Sequence, residues 1–197
     1  MRYNPARHHR RSIRLRGWDY ASPGAYFVTL CIEDRERPLT GRITRLFGDI
    51  VNGEMRLNEF GRIVADTWDD LPNHFPTVVL DAFVVMPNHA HGIIVLTENN
   101  VDGSIVGADL VGAELNSAPT NATAKPKRYT LGQIIQCLKT FSARRINSSR
   151  RTPRMPVWQR NYHEHIIRND DEMNRIRQYI TDNPRKWESD PENTEMV

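Results

Sequence analysis

The feature that most limits the fold is a pair of apolar runs with almost nothing between them. "TVVLDAFVVMP" (77–87) and "AHGIIVLTE" (90–98) each read as a strand. The short "MPNH" that joins them points to a tight antiparallel connection. Two histidines, His89 and His91, interrupt the second run with one alanine between them. Residues i and i+2 of a strand point to the same side, so the two rings can aim at one point if the strand begins early enough. Two neutral imidazoles converging from a rigid sheet make half of a metal site. The plainer alternative puts His89 in the turn and His91 at a hydrogen-bonded edge, and the spacing taken alone favours it.

The other elements follow from periodicity and turn signals. "GAYFVTLCIED" (24–34) predicts a strand, and Asn52-Gly53 between two short apolar runs predicts a hairpin over 45–57. Phe60, Ile63, Val64, Thr67, Trp68 and Leu71 recur at helical spacing in 58–72, with Pro72 as the stop. "YTLGQIIQCLKTFSARRIN" (129–147) predicts a helix opened by a Thr130/Gln133 capping box, with Leu131, Ile134, Ile135, Leu138, Phe141 and Ile146 as its apolar stripe. "MPVWQRNYHEHIIR" (155–168) reads as a strand. Residues 169–184 read as a helix, capped by Asn169 with Glu172 and ended by Asn183-Pro184. Without the hairpin and the last helix the order is βαββαβ. That is an α+β, ferredoxin-like order: an antiparallel sheet with helices on one face, plus an extra N-terminal hairpin and a C-terminal helix.

The domain is expected over 17–187. Residues 99–128 are small and polar, carry a short echo ("VGADL", "VGAEL") and read as a flexible insertion. Residues 188–197 read as a disordered acidic tail and residues 1–16 as a basic arm. No apolar run approaches the roughly 20 residues of a membrane span. The start "MRYNPARHHRRSIRLRG" lacks the apolar core of a signal peptide. Cys31 and Cys137 sit in apolar stretches and read as reduced core residues. A cytoplasmic protein is expected.

Net charge is only +3, but its distribution is uneven. Residues 1–16 hold six arginines and no acid, and ten Lys or Arg lie between Glu114 and Glu164 with no acid among them. Such segregation suggests a polyanion path, with nucleic acid as the expected partner. The candidates along it are Arg10, Arg11, Arg14 and Arg16 in the arm, and Lys139, Arg144, Arg145, Arg150 and Arg151 after the insertion. A merely solvated basic face is the bland counterpart.

His163 and His165 form a second His-x-His, and the two pairs together offer a four-imidazole metal site as one alternative. The last helix offers another partner for the first pair, since Tyr179 and Asn183 lie four residues apart on one face. A tyrosine hydroxyl, with pKa about 10, is a poor nucleophile at neutral pH. Beside a divalent cation that polarises a phosphodiester it becomes competent. In isolation, Tyr179 also reads as a boundary aromatic and Asn183 as part of a helix stop.

"MPNHAHGIIVL" resembles the HUH motif, histidine-hydrophobic-histidine, of the single-tyrosine HUH transposases of the insertion-sequence 200 type, with Ala90 in the middle position. "IRQYITDNP" resembles that family's tyrosine helix. "RRSIRLRGWDYASPGAYFVTLC" and "VWQRNYHEHIIR" point to its REP-associated tyrosine transposase branch, over about Arg10 to Trp187. The resemblance implies a ferredoxin-like fold, His89 and His91 holding Mg²⁺ or Mn²⁺ with Asn183 as third protein ligand, and Tyr179 as nucleophile. Tyr162, near the second histidine pair, stands in reserve. It also implies single-stranded or hairpin DNA as substrate, cut through a 5′-phosphotyrosine, and a nucleoid-associated monomer or homodimer. Two rivals are a DNA-binding regulator that keeps the fold without chemistry, and a four-histidine metalloenzyme acting on a small molecule.

Overall fold

The computed structural model describes residues 14–33, 45–98, 128–190 and 192–193. Strand β1 (Gly24–Cys31) leads to a hairpin of β2 (Gly48–Val51) and β3 (Glu54–Leu57), then to helices α1 (Glu59–Asp69) and α2 (Leu71–His74). Strands β4 (Val78–Val85) and β5 (His89–Leu96), helix α3 (Leu131–Ser149), strand β6 (His163–Ile167) and helix α4 (Asp170–Asp182) follow, and a 3-10 segment covers Asn183–Ser189. The main sheet runs β4-β5-β1-β6, every pair antiparallel, with β2-β3 as a separate ribbon. This is the ferredoxin-like α+β arrangement expected from the element order.

Each face of the sheet buries its own apolar set. Tyr26, Val28, Leu30 and Ile32 of the β1 segment join Val64, Trp68, Ile134 and Leu138 of α1 and α3 in the main core. Phe27 and Ile93 face the other way and pack with Ile176 and Ile180 of α4. Strand β5 is therefore covered on both sides, and His89 to Ile94 are all buried. Double coverage explains why this stretch reads as a continuous apolar run rather than an alternating one.

Local signals place the elements. Asn52 and Gly53 both take positive φ, 55° and 76°, as a two-residue hairpin turn requires. The Thr130/Gln133 capping box forms as read. The apolar line of α3 steps by four through Ile134, Leu138, Ser142 and Ile146, so Phe141 falls off it and is exposed, stacking on His74. The first helix ends at Asp69, and Pro72 sits in the opening turn of α2, where its missing N–H costs nothing.

Two expectations need correction. The strand expected over 155–168 is confined to His163–Ile167. Pro153 and Pro156 lack N–H groups, and the segment instead bonds to the end of β1, with Gln159 N donating to Cys31 O at 2.9 Å. Asn183-Pro184 ends the α-helix as read, at Asp182, and the chain continues as a 3-10 segment to Ser189. The expected disordered tail at 188–197 packs down where it is described. Trp187 and Asp190 are buried, Asn88 Nδ2 donates to Glu192 O at 2.9 Å, and Asn193 Nδ2 donates to Trp187 O at 2.8 Å. Residues 99–127 of the insertion, and all but the last three residues of the basic arm, lie outside the described residues.

Candidate metal centre and tyrosine

Strand β5 opens at His89, early enough for both histidines to share its α4-facing side. In register, Cys31 lies opposite His89 and Thr29 opposite His91. His89 is 0% and His91 3% exposed. Burial drives both rings far below the usual imidazole range, to about 3, so both are neutral at physiological pH. Asn88 donates its amide N–H to Glu192 O, which turns its Oδ1 toward His89 Nδ1 at 2.7 Å. His89 therefore carries its proton on Nδ1 and keeps a lone pair on Nε2. His91 Nδ1 lies 2.9 Å from the Thr29 hydroxyl. The two Nε2 atoms face each other at 3.0 Å.

These atoms fit a cation. Two nitrogens bound at about 2.1 Å to one ion, at right angles, stand about 3.0 Å apart. Among the described residues, His89, His91 and Asp190 are grouped closely enough to hold a metal ion, their ligand atoms all within 4.8 Å of one another. Asp190 Oδ2 lies 4.0 Å from His89 Nε2. Asp190 was not singled out from the sequence, because it lies in the segment read as a disordered tail. Two imidazoles and a carboxylate are a common transition-metal donor set. Asn183 is 2% exposed, and its Oδ1 has no hydrogen-bond partner among the described residues. A buried orphan acceptor is costly unless a cation or donor meets it.

Tyr179 stands over the pair. Its hydroxyl is 3.2 Å from His91 Nε2, and its ring meets Phe27 edge-on at 6.0 Å. Burial pushes its pKa up and Asp190 adds to that, while a hydrogen bond from Asn183 opposes it. The unassisted side chain is thus a phenol at neutral pH. Helix α4 is held in place by the Asn169 cap, by Ile180, and by Arg177, which donates to Asp81 at 2.6 and 2.8 Å.

Tyr162 lines the same cavity of about 480 Å³ as Tyr179, His91 and His163. Its hydroxyl accepts from Arg14 Nη2 at 3.0 Å, and burial, followed by Glu164, raises its pKa. His165 Nε2 is bound to Glu172 at 2.8 Å. The structure therefore does not bring the four histidines together around one point.

The basic candidates separate. Arg10 and Arg11 lie outside the described residues. Arg16, Arg144 and Arg151 are exposed. Arg14 pairs with Tyr162 and Glu164, Arg145 lies 3.8 Å from Asp66, and Arg150 bonds Asn147. The Lys139 ammonium donates to Gln159 O at 3.0 Å and Asn161 O at 2.8 Å and so braces a loop, and burial lowers its pKa to about 8. Trp158 is core, with Nε1 bonded to Ser142, whereas Trp18 is 40% exposed. Both cysteines are free. No helix among the described residues is long and apolar enough to cross a membrane.

Comparison with solved structures places the fold. A REP-associated tyrosine transposase bound to a REP hairpin superposes with a TM-score of 0.50 at 16% identity, over 89% of this chain and 74% of that one. A putative transposase of Deinococcus radiodurans R1 gives 0.41 at 16% identity, over 86% and 96%. The chain has the fold of a REP-associated tyrosine transposase. An uncharacterized protein of Haemophilus influenzae Rd is 40% identical over 190 residues, 96% of each chain, and this chain belongs to one family with it. No family model matches.

Proposed function

We propose that the protein is a metal-dependent enzyme that nicks and rejoins single-stranded DNA carrying hairpin-forming repeats. The observation that carries this reading is the Tyr179 hydroxyl 3.2 Å from a buried histidine whose Nε2 faces that of a second one. Held by His89 and His91 with Asp190 or Asn183, a divalent cation, Mn²⁺ in preference to Mg²⁺ on softness, would draw charge from the scissile phosphate. Tyr179 Oη attacks phosphorus, the P–O3′ bond breaks, and the phenolic proton passes, net, to the departing 3′ oxygen. The products are a 5′-phosphotyrosine and a free 3′-hydroxyl. One phosphoester replaces another, so a second 3′-hydroxyl reverses the step without ATP. Asn183 orients the phenol from one turn away, and α4, clamped by Arg177 and Asp81, holds the nucleophile over the sheet. Exposed Arg16, Arg144 and Arg151 offer phosphate contacts for a hairpin.

The test is covalent trapping. Labelled single-stranded hairpin DNA from repeats flanking the gene is incubated with the protein and Mn²⁺ or Mg²⁺, then run on denaturing gels. A protein-linked band lost in Tyr179→Phe supports the reading. Tight hairpin binding without an adduct would instead favour a regulator that keeps the fold without the chemistry.

A further inference from the structure

The cavity beside Tyr179 has a composition the nicking reaction does not by itself explain. It measures about 480 Å³, within the range that seats one small ligand. Asp190 and Glu192 line it, and no Lys or Arg does. Asp190 belongs to the candidate cation site, and the lining away from it, Glu192 with Gln159 and Asn161, disfavours a second phosphate and suits a neutral, hydrogen-bonding group. Phe27, Thr29 and Cys31 present the sheet surface of β1 to it. Gln159 and Asn161 line it as well, and their segment bonds to the end of β1, whereas His91 belongs to β5 on the other flank of that strand.

The loop carrying these two amides is built to hold still. Gln159 N donates to Cys31 O, Glu33 N donates to Val157 O at 2.8 Å, and Lys139 bonds the carbonyls of both Gln159 and Asn161. The side-chain amides themselves have no hydrogen-bond partner among the described residues. A half-buried lysine thus fixes a short backbone stretch while leaving two exposed amides unengaged by the chain's own groups. Planar amides match the donor-acceptor edges of nucleobases.

We propose that this cavity seats the base of a nucleotide adjoining the scissile phosphate, and that Gln159 and Asn161 read its hydrogen-bonding edge. The proposal rests on the nicking reading above but concerns specificity, not chemistry. Lys139 is then a positioning residue for the reading loop.

The experiment measures binding and adduct formation separately. Tyr179→Phe protein with Mn²⁺ is titrated by anisotropy with hairpin oligonucleotides that differ only in the base on either side of the cleaved bond. One further oligonucleotide is abasic at that place. At one of the two positions the best and worst bases should differ by about tenfold in affinity. Gln159→Ala with Asn161→Ala should shrink that to about twofold, with affinity for the abasic oligonucleotide unchanged. Lys139→Met should blunt the discrimination in the same way. Discrimination that survives the double variant, or an abasic oligonucleotide that binds as well as the best base, overturns the proposal. The two failures are separable. Base-dependent binding without any wild-type adduct removes the nicking reading and keeps the pocket, whereas an adduct without base preference does the reverse.

Discussion

Thr29→Val isolates the part of the site that prepares His91. Valine nearly matches threonine in shape but cannot bond His91 Nδ1, 2.9 Å from the Thr29 hydroxyl in a buried setting. For His91 to offer Nε2 to a cation, its proton must sit on Nδ1 and be donated to Thr29 Oγ1. Valine leaves that N–H buried and unpaired, at a cost of about 1–3 kcal/mol. The proton then moves to Nε2, where it blocks a metal. Loss of such an orienting partner weakens metal affinity by about 10–100-fold, or roughly 1.4–2.7 kcal/mol. Isothermal titration of Mn²⁺ into wild type, Thr29→Val and Thr29→Ser gives the answer, with serine retaining most of the affinity because it keeps the hydroxyl. Wild-type Mn²⁺ affinity in Thr29→Val would refute the tautomer argument.

Other consequences follow from the same packing. A Cβ on Gly92, between His91 and Ile93, would lie 2.7 Å from Trp68 Cζ2 and 2.9 Å from Phe83 Cδ2, so Gly92→Ala should destabilise by about 1–3 kcal/mol. Calorimetry should show this as a Tm drop of about 2–4 °C per kcal/mol. Asp81→Asn unclamps α4, and because Arg177 is about half exposed the cost in urea unfolding at pH 7 should be near 1 kcal/mol. The hydrogen-bonded Arg177 guanidinium holds the Asp81 carboxyl below its ordinary value. Its contribution is therefore present above about pH 4, and the difference between wild type and Asp81→Asn should close as pH falls through the lowered value. Removing the metal with a chelator should leave the fold intact, judged by near-ultraviolet circular dichroism, because the main core lies on the opposite face of the sheet.

The sheet and its helices were legible because their signals are local and agree with one another. The Asn52-Gly53 turn, the Thr130/Gln133 box and the period of α1 each name their element unaided. His89 and His91 stood out because imidazoles in an apolar run need a reason. Asp190 stayed hidden because acidic composition near a terminus reads as solvated chain. Trp187 beside His89 and the Asn88-to-Glu192 bond, which no periodicity announces, fold it back. The bracing contacts of Lys139 stayed hidden for a related reason. A lysine among arginines on an amphipathic helix reads as surface charge, and only the tertiary placement of the Gln159 and Asn161 carbonyls turns it inward. The strand ending in β6 was drawn too long because Val157 and Trp158 are as apolar as strand residues but belong to the main core.

The most direct test of the central claim is to find which tyrosine carries the DNA. Trypsin separates the two candidates, because Tyr179 falls in the peptide 178–185 and Tyr162 in 161–168. Wild-type protein is reacted with hairpin DNA and Mn²⁺, digested with nuclease and trypsin, and sequenced by tandem mass spectrometry. A nucleotide mass on Tyr179 is the expected result, since its hydroxyl alone of the two is hydrogen-bonded to the histidine pair. A nucleotide on Tyr162 would contradict the account and move the reaction to the Arg14 side of the cavity.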